Sequence, residues 1–195
     1  MKRWLFAIIV LVAAWNWWPQ GDINRAPGVI AAAAPLQSEL EGAAPKLSKP
    51  GYEIQPLARF ELEARVLGVE RYRFDRGADL SPMDFALGWG RMSDTSVLDR
   101  IEISQDGRFY FWRTPEYPIP RGEIEVSSAN MHMVPANERV ARQLKSVRRG
   151  HVVRLAGYLI EARGTDGWRW KSSLSRADTG RGACELIWVE RLELR

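Results

Sequence analysis

A chain of 195 residues, 46% hydrophobic, 10% aromatic and 27% charged, has room for one ordinary domain and a short appendage, and is neither disordered nor fibrous. One cysteine excludes a disulfide framework and a Cys-rich zinc site, and two histidines leave little room for an all-histidine metal site. The formal charge of +4 hides an asymmetry: +2 over residues 1–20, −4 over 21–137 and +6 over 138–195, so the last third either is a solvated Arg-rich surface or faces phospholipid, nucleic acid or an acidic partner.

Lys2 and Arg3 precede an uncharged run from Trp4 to Trp18. A basic start before an apolar stretch is the export signature and keeps the N-terminus in the cytoplasm. Fifteen helical residues reach about 22 Å, short of a hydrocarbon core of about 30 Å, which favours a cleaved signal peptide. Trp15, Trp17 and Trp18 argue the other way, being bulky at a cleavage site and suited to a membrane–water interface. The reading adopted is an uncleaved signal anchor over 1–18, with the remainder exported; the single Cys184 agrees with an oxidising compartment. Residues 19–50, rich in Pro, Ala and Gly, show no sustained period and predict a tether, leaving 51–195 as the globular domain.

Within that domain Phe60, Leu62, Ala64 and Val66 alternate with Glu61, Glu63 and Arg65, a half-buried strand with a bulge expected at Gly68. Ser81-Pro82-Met83-Asp84 predicts a helix start over Phe85–Leu87, and a second turn begins at Asp94. Asp106-Gly107 predicts a tight hairpin between Ile101–Ile103 and Phe109–Trp112. Glu123–Val126 reads as a short strand, and Asn137 caps a helix carrying Val140, Leu144 and Val147. Strands follow over His151–Ala162, Trp168–Ser172 and Cys184–Leu194, with a turn at Gly164–Gly167 and a loop between the last two. The fold class is mainly β (α+β): a small OB-like or related β-barrel or roll with one or two short helices, preceded by the N-terminal apolar helix. SH3-like barrels and other β-rolls would give nearly the same pattern.

No catalytic, cofactor or metal residues are assigned. Met131, His132 and Met133 carry soft ligands suited to copper, but neighbours in a strand face opposite sides, so two core methionines and a hydrogen-bonding histidine are the simpler reading. Lys171, Ser172, Ser173 and Ser175, with Asp178 or His132 as orienter, suggest a Ser–Lys hydrolase without either of its usual motifs. Cys184 reads as a small core hydrophobe with Glu185 on the opposite face, and Glu61/Glu63 and Glu123/Glu125 as solvated strand carboxylates. Trp168, Arg169, Trp170 and Lys171 interleave aromatics with cations as single-strand binders do, although the two kinds fall on opposite strand faces. The best contact surface combines the Gly-and-Trp-rich loop with the aromatic hairpin: Trp89, Arg91, Tyr110, Trp112, Tyr117 and His132.

The strings SPMDFALGWGRMSD (Ser81–Asp94), SANMHMVPA (Ser128–Ala136) and SSLSRADTGRGACELIWVE (Ser172–Glu190) resemble ones found together in a group of membrane-anchored bacterial proteins of unknown function. The resemblance implies a bacterial origin and an inner-membrane, single-pass placement with the domain in the periplasm; it implies no activity or cofactor. The functional expectation is a membrane-tethered, non-catalytic binding or assembly module, joined to the inner membrane through residues 4–18 and acting through a protein or envelope partner. The alternatives are an exported hydrolase using the Lys171–Asp178 loop and an OB-like nucleic-acid-binding protein, the latter disfavoured by export.

Overall fold

The alternation around Phe60 belongs to one long strand, β3 (Tyr52–Arg71), which organises the whole domain. In the computed structural model, which describes residues 21–175, 178, 180 and 182–195, β3 pairs with β4 (Met83–Gly88), and β4 with β7 (Ser128–Pro135). β7 lies parallel to β10 (Glu185–Leu194), β10 antiparallel to β8 (Val152–Gly164), and β8 returns to β3. The fold is therefore mainly β, with the sheet closed on itself as a five-stranded ring. The expected apolar helix of residues 4–18 lies outside the described residues.

Closure follows from the residue pattern. Phe60, Leu62, Ala64 and Val66 point into the ring with Phe85, Leu87, Met131, Met133, Leu155 and Ile187, and helix α3 (Glu138–Ser146) seals one end with Val140 and Leu144. Asn137 caps that helix by accepting from the Val140 N–H at 3.0 Å, as the sequence predicts. The β3 register slips between Val66 and Gly68, the expected bulge, which lets a twenty-residue strand bend from one partner to the next. At Gly157 an added Cβ would sit 1.8 Å from the Trp188 carbonyl, so the barrel's tightest crossing admits only glycine.

Two elements differ from expectation. Residues 85–87 form no helix: all six residues of β4 are buried, and Ser81 Oγ donates to the Met83 and Met133 carbonyls instead of capping a first turn. Demand for a strand between β3 and β7 overrides the local capping signal. Glu123–Val126 is no strand but the end of helix α2 (Arg121–Val126), which an Arg121–Glu125 ion pair spans at 2.8 Å.

Helix α2 belongs to an insertion between β4 and β7 with a 3-10 turn (Gly90–Ser93), helix α1 (Thr95–Leu98) capped by Asp94, and the hairpin β5 (Glu102–Asp106)–β6 (Phe109–Arg113). Its apolar residues Met92, Val97, Leu98, Ile119 and Ile124 make a second core with Leu67 and Ala86 on the outside of the ring. Asp106 pairs with Phe109, so the two turn residues are Gly107 and Arg108, and Arg108 takes the left-handed conformation at φ 74°. A third cluster, including Leu80, Val134, Leu186 and Trp188, is covered by the 72–82 loop and by β9 (Arg169–Lys171).

Residues 21–50, expected to hang free, lie along the barrel. β1 (Leu36–Ser38) and β2 (Leu47–Lys49) pair with β3. Ile23 N–H donates to the Arg149 carbonyl, and the Ile30 and Ala31 N–H groups donate to Ser93 Oγ. These contacts are made by the backbone, which explains why no apolar period marks the segment.

Candidate binding cleft

The insertion leaves a cleft of about 550 Å³ against Ser175, Asp178, Gly180, Ala183 and Cys184. Four of the six expected contact residues line it: Trp89, Tyr110, Trp112 and Tyr117, joined by Phe109, Phe111, Arg121 and Glu125. Residues distant in sequence meet because the hairpin folds back beside the start of β7. Tyr110 is fixed there by a 2.7 Å hydrogen bond between its hydroxyl and Ser128 Oγ, and burial pushes its phenol up to about 12. Trp112 and Tyr117 meet edge to face at 6.2 Å, leaving Tyr117 51% and Phe111 54% exposed at the lip.

Three expectations about this surface need correction. Trp89 is only 3% exposed and belongs to the barrel core, because a Gly on either side lets the chain drop its indole inward. Arg91 lies outside the lining residues, held in a two-point ion pair with Glu123 that keeps that carboxyl below its usual range. His132 is 2% exposed and serves the polar network described next.

On the outer face of β4 and β7, apolar strands carry Asp84, Asn130 and His132, a set that sequence reasoning did not connect. Asp84 is fully buried and takes Arg108 Nη1 at 2.9 Å and Asn130 Nδ2 at 3.3 Å. His132 Nδ1 stands 2.9 Å from Asp84 Oδ1, within ion-pair reach though off the angle of a hydrogen bond. Arg108 also donates to the Ser81 carbonyl and to both Asp75 oxygens, and its guanidinium lies 3.6 Å from the centre of the Tyr72 ring. The Tyr72 phenol is driven up to about 12, first by burial and then by Asp84. The signal was available: polar residues alternate with Met131 and Met133 in a strand otherwise apolar, and an arginine occupies a position that normally takes glycine.

Next to this network Trp168 and Trp170 meet edge to face at 5.7 Å on β9 and its approach. Their faces are already occupied: Arg76 lies 4.7 Å from the Trp168 ring, and His132 4.5 Å and Arg108 5.3 Å from the Trp170 ring. Arg169 and Arg163 both bind Glu161, and the Arg169 hydrogen bond leads in holding that carboxyl down at about 2. The cluster latches the 72–82 loop to the β8–β9 hairpin, with Lys171 left exposed beside it.

The residues weighed for a Ser–Lys hydrolase are brought together in part: Lys171 and His132 line one cavity, and Asp178 binds Ser173. Ser172 Oγ donates to the Ser173 carbonyl and accepts from Leu186 N–H, and Ser173 Oγ binds Asp178 at 2.6 Å. His151 stands before β8 and accepts from Arg148 N–H through Nδ1, whereas Ser172 pairs with Ile160 far along that strand. Met131 and Met133 are both core residues, as the simpler reading had it, and no group of three or more His, Cys, Asp or Glu that could hold a metal occurs among the described residues. Cys184, expected as a small core hydrophobe, is half-buried at the cleft wall, its thiol pushed up to about 12 by burial and by Glu185 and Asp84; Glu185 is buried. The chain matches no protein-family model, no curated protein and no solved structure.

Proposed function

We propose that this chain is a non-catalytic binding or assembly module of OB type, tethered by residues 4–18 outside the bacterial inner membrane, and that it holds an extended segment of a protein partner in the cleft beside β6. The OB assignment is supported by a ring in which three consecutive strands are followed by a helix and two more strands, the last of them parallel to the third. The anchored, exported placement rests on the Lys2-Arg3 start, the Trp4–Trp18 run and the tryptophans that end it.

One observation carries the binding mode. In a two-residue hairpin the residue pairs alternate between hydrogen-bonded and open; Asp106–Phe109, Ser104–Phe111 and Glu102–Arg113 are the bonded ones. The N–H and C=O groups of Tyr110 and Trp112 therefore point away from β5, and no described residue takes them up. An unpaired strand edge bordering an aromatic cleft supports strand addition, with the backbone supplying affinity and the Trp112, Tyr117 and Phe111 rings supplying selectivity.

The test is a photo-crosslinking residue at Tyr117 of the full-length protein in cells, with Thr165 as the control site. A single membrane-protein adduct from Tyr117, lost when Phe111→Ala is added and absent from Thr165, is the expected result. Equal adducts from both sites, or none from Tyr117, overturns the cleft as the binding site.

A further inference from the structure

The basic last third of the chain has found no role in the cleft. Two of its arginines, Arg148 and Arg149, stand where residues 21–25 are fastened. Arg148 Nη1 donates to the Gly21 carbonyl at 3.2 Å, the Arg149 carbonyl accepts from Ile23 N–H at 2.9 Å, and Arg25 donates to the Gly150 carbonyl at 3.0 Å and the Arg195 carbonyl at 2.6 Å. Arg71 joins the same end of the barrel by donating to the Lys145 carbonyl at 2.7 Å. The acids nearby, Asp22, Glu70 and Asp99, are fewer than the cations.

The molecule itself registers this concentration of positive charge. Buried Arg65, bound to the Ser93 carbonyl and Thr95 Oγ1, is pushed below its usual range by desolvation and then by Arg25 and Arg149. His151 is lowered likewise by burial, then by Arg148 and Arg25. The fastening is close: a Cβ on Gly150 would meet the Ile23 carbonyl at 2.0 Å.

Chain geometry then fixes where this face must be. Only three peptide units separate Trp18, the end of the apolar run, from Gly21, a span of at most about 10 Å. That matches the distance of about 8–10 Å over which charges act in physiological salt. Resting on the reading that residues 4–18 are in the membrane, we propose that the face formed by Arg25, Arg71, Arg148 and Arg149 lies on the anionic phospholipid headgroups beside the anchor. The domain is thereby held in one orientation, with the β6 cleft displayed to the side, and is not free to tumble on a tether.

The experiment uses the full chain with Cys184→Ser, carrying a fluorophore at Ser146→Cys near the basic face or at Thr165→Cys beyond the far end of β8. Each is reconstituted into vesicles whose headgroups carry an acceptor dye, made of phosphatidylcholine alone or mixed equally with phosphatidylglycerol. The expected result is stronger energy transfer from position 146 than from 165 in the anionic vesicles, falling with added salt. Phosphatidylcholine should bring the two positions together. Each of Arg71→Gln and Arg149→Gln should weaken the docked population roughly fivefold; Arg149→Gln keeps the carbonyl that holds Ile23 and gives up only an exposed 3.9 Å pair with Asp22, which adds little to folding. Equal transfer from both positions in anionic vesicles, in a chain that floats with them, overturns the proposal and leaves the anchor standing. A chain that floats with neither vesicle overturns the anchor and the proposal together.

Discussion

Arg108 is the residue whose removal tests the structural reasoning most sharply. Its guanidinium is the main cation facing Asp84, a carboxylate with no exposure, at 2.9 Å. Breaking a buried pair by deleting one partner costs about 3–5 kcal/mol, because the other charge stays behind uncompensated. His132 Nδ1 at 2.9 Å and Asn130 Nδ2 at 3.3 Å remain near Asp84, which puts Arg108→Ala at the low end, about 3 kcal/mol. Arg108 also sits at φ 74°, a conformation that costs a residue with a Cβ about 1 kcal/mol. Arg108→Gly should therefore be about 1 kcal/mol less damaging than Arg108→Ala although it deletes more atoms. Asp84→Asn, harmful by itself, should recover part of the loss in the Arg108→Ala background, since it removes the stranded charge. Urea unfolding followed by circular dichroism reads all four; the Arg108→Ala midpoint should fall with little change in slope. An Arg108→Ala variant within 1 kcal/mol of the parent, or no recovery on adding Asp84→Asn, refutes the account of the network.

Further outcomes follow from the same geometry. With its thiol at about 12, Cys184 should react with a thiolate-specific reagent at pH 8 roughly a thousandfold slower than an unfolded-chain cysteine, a rate restored in urea; comparable rates would mean an accessible, activated thiol. Glu161 is held down at about 2, below its unfolded value of about 4.3, so it contributes stability above pH 4.3 that is lost as pH falls toward 2. Glu161→Gln should flatten the stability curve across that window and leave its shape above pH 5 unchanged; an unchanged acid limb would contradict the pairing with Arg169. Ser93 Oγ accepts two backbone N–H groups of the N-terminal segment, so Ser93→Ala should speed trypsin cleavage after Arg25 several-fold without lowering the unfolding free energy of the barrel by more than about 1 kcal/mol. Equal cleavage rates would mean that the segment is free in the parent as well.

The elements set by local chemistry were legible in sequence. Alternation marked β3, Asn137 marked α3, and Asp106-Gly107 marked the hairpin within one residue of its true turn. What failed depended on partners remote in the chain. Ser81-Pro82 carries a sound capping signal, but the backbone there is claimed by β3 and β7 on either side. Of the candidate cleft, Tyr110, Trp112 and Tyr117 were legible because aromatics crowd the hairpin and the loop after it; Asp84 and Arg108 were not, because a buried charge is recognisable only beside its counter-charge. The 21–50 segment escaped for a third reason: apart from Arg25 and Gln37, it is held largely by hydrogen bonds of its backbone, which leave no trace in residue type.

The parallel seam between β7 and β10 has a temporal consequence. β10, made after every other strand of the ring, is seated between β7 and β8, and β3 can bond to β8 only after about a hundred intervening residues have been made. Every ring contact apart from β3–β4 and β4–β7 thus waits for the C-terminal third, and loop-closure entropy is met late and nearly all at once. A chain ending before Glu185 would leave β7 and β8 each with an unbonded edge, two sticky borders in place of one closed wall. Emergence of β10 is therefore the step that turns an association-prone intermediate into a self-contained domain.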